Sequence, residues 1–313
     1  MSGSPFPVTI AVAIPTYRRE RVLVETVRQV LAQEPPPDEI LVVDQTESHE
    51  PETSAYLHRE DAARRVRWIP HAPPGVPGAR NRALAEARSE VVLFIDDDVQ
   101  LPPGFVQKHA ANFADPNVVA VAGRVVQART GWQIPRRRRP WPRRLDVLYF
   151  RPDGPERVSG IATFQGGNHS VRRSQALAVG GYDENYVGWA FREESDLGIR
   201  IWKAGGLIVF DPEAGLVHLQ EPTGGCRYEE EDRPMPHWMI AFPGNYFAMR
   251  HLFPRWEFWK EVAWTNFLRS VARKPNARHP WRIPAAVVSY VYSIGRAARL
   301  ARKKGREASR PAP

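Results

Sequence analysis

At 313 residues, with 42% hydrophobic and 25% charged side chains, the chain has the composition of a folded globular protein, with room for one large domain and an extension. A single cysteine, Cys226, excludes an internal disulfide framework and a cysteine-based zinc site. The formal charge of +9 is uneven: residues 251–313 carry 14 Lys/Arg against 3 Asp/Glu, a surplus of 11 that leaves the rest of the chain at −2, so a nucleic-acid-binding core is not expected.

In chain order, β-branched runs predict strands over residues 8–14, 40–43, 66–69, 91–95 and 118–125. Between the first two, Val22, Leu23, Val27, Val30 and Leu31 recur at helical spacing until Pro35, Pro36 and Pro37 stop the helix. Further helices are expected over 52–65, 78–87 and 103–112. The alternation predicts βαβ units, an α/β class with a Rossmann-like, mixed but mostly parallel sheet flanked by helices. Residues 127–157, with Arg136, Arg137, Arg138 and Arg139, then Arg143 and Arg144, among prolines and flanked by Trp132 and Trp141, show no period and read as a long loop. Order resumes at Gly166, Gly167, Asn168 and His169, followed by helices over 172–179 and 193–204 and a strand over 207–210. Two amphipathic stretches, 255–274 and 284–304, close the chain. The charge step divides it into a catalytic-domain candidate, 1–250, and a basic helical C-terminal extension, 251–313.

In open α/β sheets, ligands bind beyond the carboxyl ends of the strands. Thr16, Asp44, Arg80 and the triplet Asp96, Asp97 and Asp98 all fall at or near such ends, so they can converge. Three adjacent carboxylates after the apolar run 91–95 repel one another and need a counter-charge; a divalent cation such as Mg2+ or Mn2+ supplies it and also holds phosphates. The plain alternative is a solvated turn. Asp44 suits a hydrogen bond from a base edge, with a turn acid as its alternative, and Arg80 suits a base or phosphate. Gly166 and Gly167 permit close backbone approach by a ligand beside Asn168, or simply form a turn. Glu193, Glu194 and Asp196 open a helix, where acids also cap and complement the dipole; Asp196 lies one turn from Arg200. Gly224, Gly225, Cys226 and Arg227 read either as a lid reaching a diphosphate or as a plain glycine loop.

The blocks AVAIPTYRR, EILVVDQT, PGARNRALAEARSEVVLFIDDDV, GGNHSVRRSQALAVGGYDENY, FREESDLGIRIWKAGG and VFDPEAGLVHL, taken together over residues 8–228, resemble those of the family 2 glycosyltransferases, which have the A-type glycosyltransferase (GT-A) fold. The resemblance implies a metal-dependent, inverting transfer of a sugar from a UDP-, GDP- or dTDP-linked donor to a hydroxyl of a glycan or lipid-linked acceptor, in cell-surface polysaccharide or glycolipid synthesis. It implies a donor loop at Pro15, Thr16 and Tyr17, donor contacts from Asp44, Arg80, Asp96, Asp97, Gly167 and Asn168, and a metal held by Asp98 and Asp96. It adds His218, after Asp211, Pro212, Glu213 and Ala214, as a further metal ligand, where a lone histidine would otherwise read as structural. It implies Glu194 as the catalytic base, with Glu193 as the alternative.

The start of the chain, residues 1–7, lacks a basic and apolar leader, so a cytoplasmic location is expected. Trp256, Trp259, Val262, Ala263 and Phe267 at helical spacing, then Arg296, Arg299, Arg302, Lys303 and Lys304, suggest peripheral contact with an anionic membrane; packing on the catalytic domain is the alternative. Two rival functions are a sugar nucleotidyltransferase and a non-catalytic membrane- or polyanion-binding protein on a degenerate transferase scaffold.

Overall fold

The computed structural model of the protein describes residues 4–128, 154–188, 190–225, 237–271, 276 and 279–308. The arginine run at 136–139 with its flanking tryptophans, and the Cys226–Arg227 pair, lie outside the described residues. The chain forms two compact units, one of residues 1–183 with 194–225, the other of residues 184–193 with 226–313. The charge step at residue 251 falls at the end of a helix of the second unit, His237–His251.

The first unit is built on one sheet. Strands β1 (Ile10–Thr16), β2 (Glu39–Asp44), β3 (Arg67–Pro70) and β4 (Val91–Ile95) run parallel in the order β3-β2-β1-β4. Helices α1 (Arg21–Leu31), α2 (Pro51–Ala62) and α3 (Val76–Glu86) connect them. After β4 come the short β5 (Val99–Gln100), α4 (Phe105–Ala111), β6 (Val118–Gln127) and β7 (Val158–Ser159), then β8 (Asn168–Arg172), α5 (Arg173–Ala178), α6 (Glu193–Lys203) and β9 (Leu207–His218). The sheet continues β4-β8-β6-β9-β5, with β8 antiparallel to both neighbours and β6 parallel to β9.

The period of two in a strand divides the core. Ile10, Val12, Ile14, Val91, Leu93 and Ile95 enter one apolar cluster, while Ala11, Ala13, Val92 and Phe94 enter a second on the opposite face. Both faces are covered, which is why these strands are apolar throughout instead of alternating with polar residues. In α1, Leu23, Val24, Val27 and Val30 form the buried stripe that closes the first cluster.

The second unit is helical. Its described elements are α7 (His237–His251), α8 (Trp256–Lys260), a π-helical stretch Glu261–Asn266, α9 (Phe267–Ser270) and α10 (Ile283–Ala308). A buried polar chain ties them: Asn266 donates to Asn245 at 3.0 Å, Asn245 donates to Ser293 at 2.8 Å, and the Tyr290 hydroxyl reaches the Val262 carbonyl. No helix among the described residues is long and apolar enough to cross a membrane.

Candidate active site

The site begins where β4 ends. Asp96 is partly open, its side chain 39% exposed, while Asp98 is 2% exposed. His218, the last residue of β9, pairs through β5 with Val99 and so arrives beside the triplet. Its Nε2 lies 3.0 Å from Asp98 Oδ1 and 3.7 Å from Asp96 Oδ2. Ligand atoms of Asp96, Asp98 and His218 all lie within 4.8 Å of one another. His218 Nδ1 sits 2.8 Å from Gln127 Oε1, an oxygen that can only accept, so Nδ1 donates there and Nε2 is left facing the two carboxylates. That arrangement requires a proton or a cation between them. Two carboxylates and an oriented imidazole suit Mn2+ or Mg2+.

Asp97 turns the other way, into the protein. Thr16 donates to it at 2.7 Å and the Arg19 guanidinium is 3.2 Å away. Burial first, then the charges of Asp98 and Asp96, push its carboxyl up to about 7 against the pull of Arg19 and Thr16. Asp98 behaves oppositely: burial opposes its charge, but His218, Arg19 and the Glu221 amide outweigh burial and hold it below the usual carboxylate range. Arg19 is a buried residue that motif reading passes over, although three adjacent carboxylates call for such a partner. It also donates to the carbonyls of Glu221, at 3.2 Å, and Thr223, strapping residues 221–223 over the cluster. The Gly225 amide donates to the Tyr17 carbonyl at 2.8 Å, and the left-handed Gly224 packs so closely on the Arg18 carbonyl that a Cβ would overlap it.

Asp44, at the end of β2, is buried. Trp68 Nε1 donates to its Oδ2 at 2.8 Å, His49 Nε2 lies 2.7 Å from the same oxygen, and the Thr46 amide donates to Oδ1 at 2.9 Å. Burial raises its pKa, yet these bonds prevail and lower it; His49, desolvated too, is raised by Asp44 and Glu20. Asp44 is thus no solvated turn acid. Pro15 and Tyr17 flank Thr16 at the mouth of β1, both partly buried.

Gly166 and Gly167 join the two ends of the site. Close approach does occur there, but by protein side chains: Arg80 donates to the Gly166 carbonyl at 2.8 Å, and a Cβ on Gly167 would overlap Asp96 Oδ2. Arg80 also lies over the Tyr182 ring, 5.6 Å from its centre. Burial first and the charge of Glu194 raise the Tyr182 hydroxyl pKa, while Arg80 opposes them. Glu194, partly buried in the first turn of α6, therefore acts on the same neighbourhood as Arg80. Ser195 Oγ is 3.5 Å from Glu194 Oε1 and 2.9 Å from Thr163 Oγ1. Glu193 is buried and belongs to the second unit.

One expectation, the donor contact from Asn168, meets a different arrangement. The Asn168 side chain is fully buried and turned into the sheet: it donates to the Arg124 and Ala214 carbonyls, both at 2.9 Å, and accepts from His109 at 2.8 Å. Both amide hydrogens and one lone pair of the oxygen are thus engaged inside the protein. Asp196 is held by Arg200 at 2.8 Å, which also donates to the Val179 and Gly181 carbonyls, so the ion pair that their one-turn spacing allows is formed.

The profile described as Glycosyl transferase family 2 matches residues 11–175, more than half of the chain, and a second, described as the N-terminal domain of galactosyltransferase, matches residues 153–220. A pre-mycofactocin glycosyltransferase of Mycobacterium tuberculosis is 30% identical over 150 residues, 48% of this chain and 31% of that protein. A beta-monoglucosyldiacylglycerol synthase of Synechocystis sp. is 26% identical over 219 residues, 66% of this chain and 43% of that protein. The chain thus spans less than half the length of these relatives. A mannosyltransferase of Pyrobaculum calidifontis, solved with GDP-Man and Mn2+, superposes with a TM-score of 0.51 at 19% identity, covering 97% of this chain and 82% of that one.

Proposed function

Since this chain belongs to glycosyl transferase family 2 and has the GT-A fold, we propose that it is a metal-dependent inverting transferase that moves a sugar from a nucleoside diphosphate to an acceptor hydroxyl. The observation that carries this reading is the meeting of Asp96, Asp98 and His218 at the carboxyl end of the sheet, with Gln127 holding the imidazole so that Nε2 faces both carboxylates. These residues would hold Mn2+ or Mg2+, which when bound neutralises the diphosphate leaving group. The UDP-, GDP- or dTDP-linked donor enters along Pro15, Thr16 and Tyr17, with Asp44 at the base end and Arg80 beside the Gly166–Gly167 turn. Asp97 acts at one remove, with Arg19, by holding the triplet in place. Glu194 takes the proton of the acceptor hydroxyl as its oxygen bonds the anomeric carbon from the face opposite the diphosphate, whose bond to that carbon breaks. One displacement inverts the configuration, and no covalent nucleophile is required.

The acceptor is a glycan or lipid-linked hydroxyl of cell-surface polysaccharide or glycolipid synthesis. The protein works in the cytoplasm, with its basic extension 251–313 peripheral at the inner face of the cell membrane. The presence of the acid pair Glu193–Glu194 and of His218 in the chain favours this reading over sugar nucleotidyl transfer.

The test is a panel of nucleotide sugars assayed for transfer or hydrolysis with Mn2+. Glu194→Gln keeps the shape of the side chain but cannot accept the proton, so turnover should fall by about 100-fold or more while donor binding persists. Unchanged turnover in Glu194→Gln, with collapse in Glu193→Gln, would move the role to the neighbour. Pyrophosphate release from a sugar 1-phosphate and a nucleoside triphosphate would support the nucleotidyltransferase instead.

A further inference from the structure

The stretch from Phe253 to Leu268 is inside out. Trp256, Trp259 and Trp264 are 62%, 60% and 65% exposed, and Phe253 and Leu268 are exposed with them. On the opposite side Glu257 and Glu261 are buried beside Phe258 and Val262. Positions 256, 259, 263–264 and 268 follow one helical face, and the wider π-helical turn over Glu261–Asn266 keeps Trp264 on it. The inward acid is compensated: Arg192 reaches Glu261 at 3.4 Å and lies over the Phe247 ring at 4.6 Å. A chain surrounded by water gains from the reverse arrangement, with indoles inside and carboxylates outside. An exposed aromatic stripe of this kind marks an interaction surface.

Charge complementarity identifies the occupant. Glu257 and Glu261 are the two acids among the described side chains beyond residue 250, and both point inward, so the outward charges of this region are basic. Lys260 lies over the Trp256 ring, 5.6 Å from its centre, on the stripe itself. In α10 the buried positions Ala286, Tyr290, Ser293 and Ala297 leave an outward face of Val288, Val291 and Tyr292 that continues into Arg299, Arg302 and Lys303. Arg296 is not part of it, since its guanidinium is stacked on Trp238 and Phe242. Indole rings prefer the boundary between hydrocarbon and water, and an outward surface of basic residues without acids matches an extended anionic plane.

We propose that the Trp256–Trp259–Trp264 face is a lipid-docking surface, seated at the headgroup level of an anionic bilayer and held there by the basic end of α10. This deepens the peripheral-membrane reading given above and rests on it. It moves the anchor from the charged C-terminus, where charge alone would put it, to the tryptophan face.

The experiment uses the full chain with phosphatidylcholine vesicles, with and without phosphatidylglycerol, at low and high salt. The native protein should sediment with the anionic vesicles, and the triple variant Trp256→Ser, Trp259→Ser, Trp264→Ser should bind at least about tenfold more weakly at either salt concentration. Replacing Arg299, Arg302 and Lys303 by Gln should remove the salt-sensitive part, about fivefold for each charge. Should the triple variant not fold, tryptophan emission of the native protein decides, since it should shift to the blue and be quenched by brominated anionic lipid. Equal binding by the triple variant, no quenching, or a native dimer that ignores vesicles would overturn the proposal, the last outcome assigning the stripe to a second copy of the chain. Nucleotide-sugar turnover in solution, measured on the same samples, separates the two readings. Lost vesicle binding with turnover intact concerns only the membrane reading; absent turnover with vesicle binding intact concerns only the transferase.

Discussion

Gly167 decides where Asp96 stands. Its missing Cβ leaves the space that the Asp96 carboxylate occupies, so Gly167→Ala must push that carboxylate away from Asp98 and His218. Asp96 is partly exposed and able to move, so the fold should survive. Thermal unfolding should change little, whereas Mn2+-dependent turnover should drop by about 100-fold, the scale of a displacement near 1 Å at a reacting centre. A variant with native turnover would place the metal elsewhere. Asp44 and His49 give a pH signature distinct from the metal cluster. Asp44 is depressed, so its contribution is present above the ordinary carboxylate range near 4 and lost as pH falls through its lowered value. His49 is raised, so its contribution is full below about 6.5 and lost as pH rises through its raised value. In urea unfolding, the native protein should therefore lose its advantage over His49→Gln as pH rises above about 6.5. A gap that stays constant as pH rises would contradict the pairing. The Asp triplet, Asp44 and Arg80 stood out by their places near strand ends, and His218 only through the family resemblance. Their partners Arg19, Gln127 and Trp68 did not, because a buried counter-charge carries no spacing rule.

The elements divide along similar lines. Strands β1, β2 and β4 were readable because residues 10–14, 40–43 and 91–95 are apolar and buried on both faces. Strand β8 was not, because Asn168, His169 and Ser170 are polar, yet these three residues lie fully buried between β4 and β6. Its polarity is satisfied internally: His169 donates to the Gln165 carbonyl at 2.7 Å, accepts from Tyr182 at 2.6 Å and stacks between Phe94 and Phe164. His109, whose pKa burial drives down to about 4, stays neutral to bridge Ser170 and Asn168. Helix α7 escaped for another reason, since it is apolar on several sides, with Phe242, Tyr246 and Phe247 all buried, and contains Pro243. The β8 network makes a clear prediction. Asn168→Ala would strand the His109 N–H and the Arg124 and Ala214 carbonyls in the core, at about 3 kcal/mol or more from the desolvated groups. Urea denaturation should register that loss, and a change within about 0.5 kcal/mol, the range of an indifferent surface substitution, would show that the network is not structural.

At the scale of the whole molecule, one unit carries a sheet whose carboxyl edge gathers the acids, and another is a helical body with outward basic and aromatic residues. The charge step in the sequence foreshadowed that division, but not its position: a boundary at 250 would detach α7 from the α10 residues it bonds, through Asn245 and Ser293. The central claim is that Asp96, Asp98 and His218 hold a divalent ion that binds the donor's diphosphate. Calorimetric titration of UDP, GDP and dTDP into the native protein and into Asp98→Asn, each with Mn2+ and with chelator, tests it most directly. At least one nucleotide should bind the native protein only with Mn2+, and Asp98→Asn should weaken that binding by about 100-fold, a full loss of one ligand of the set. Nucleotide binding that is equally tight in chelator, or unchanged in Asp98→Asn, would contradict it.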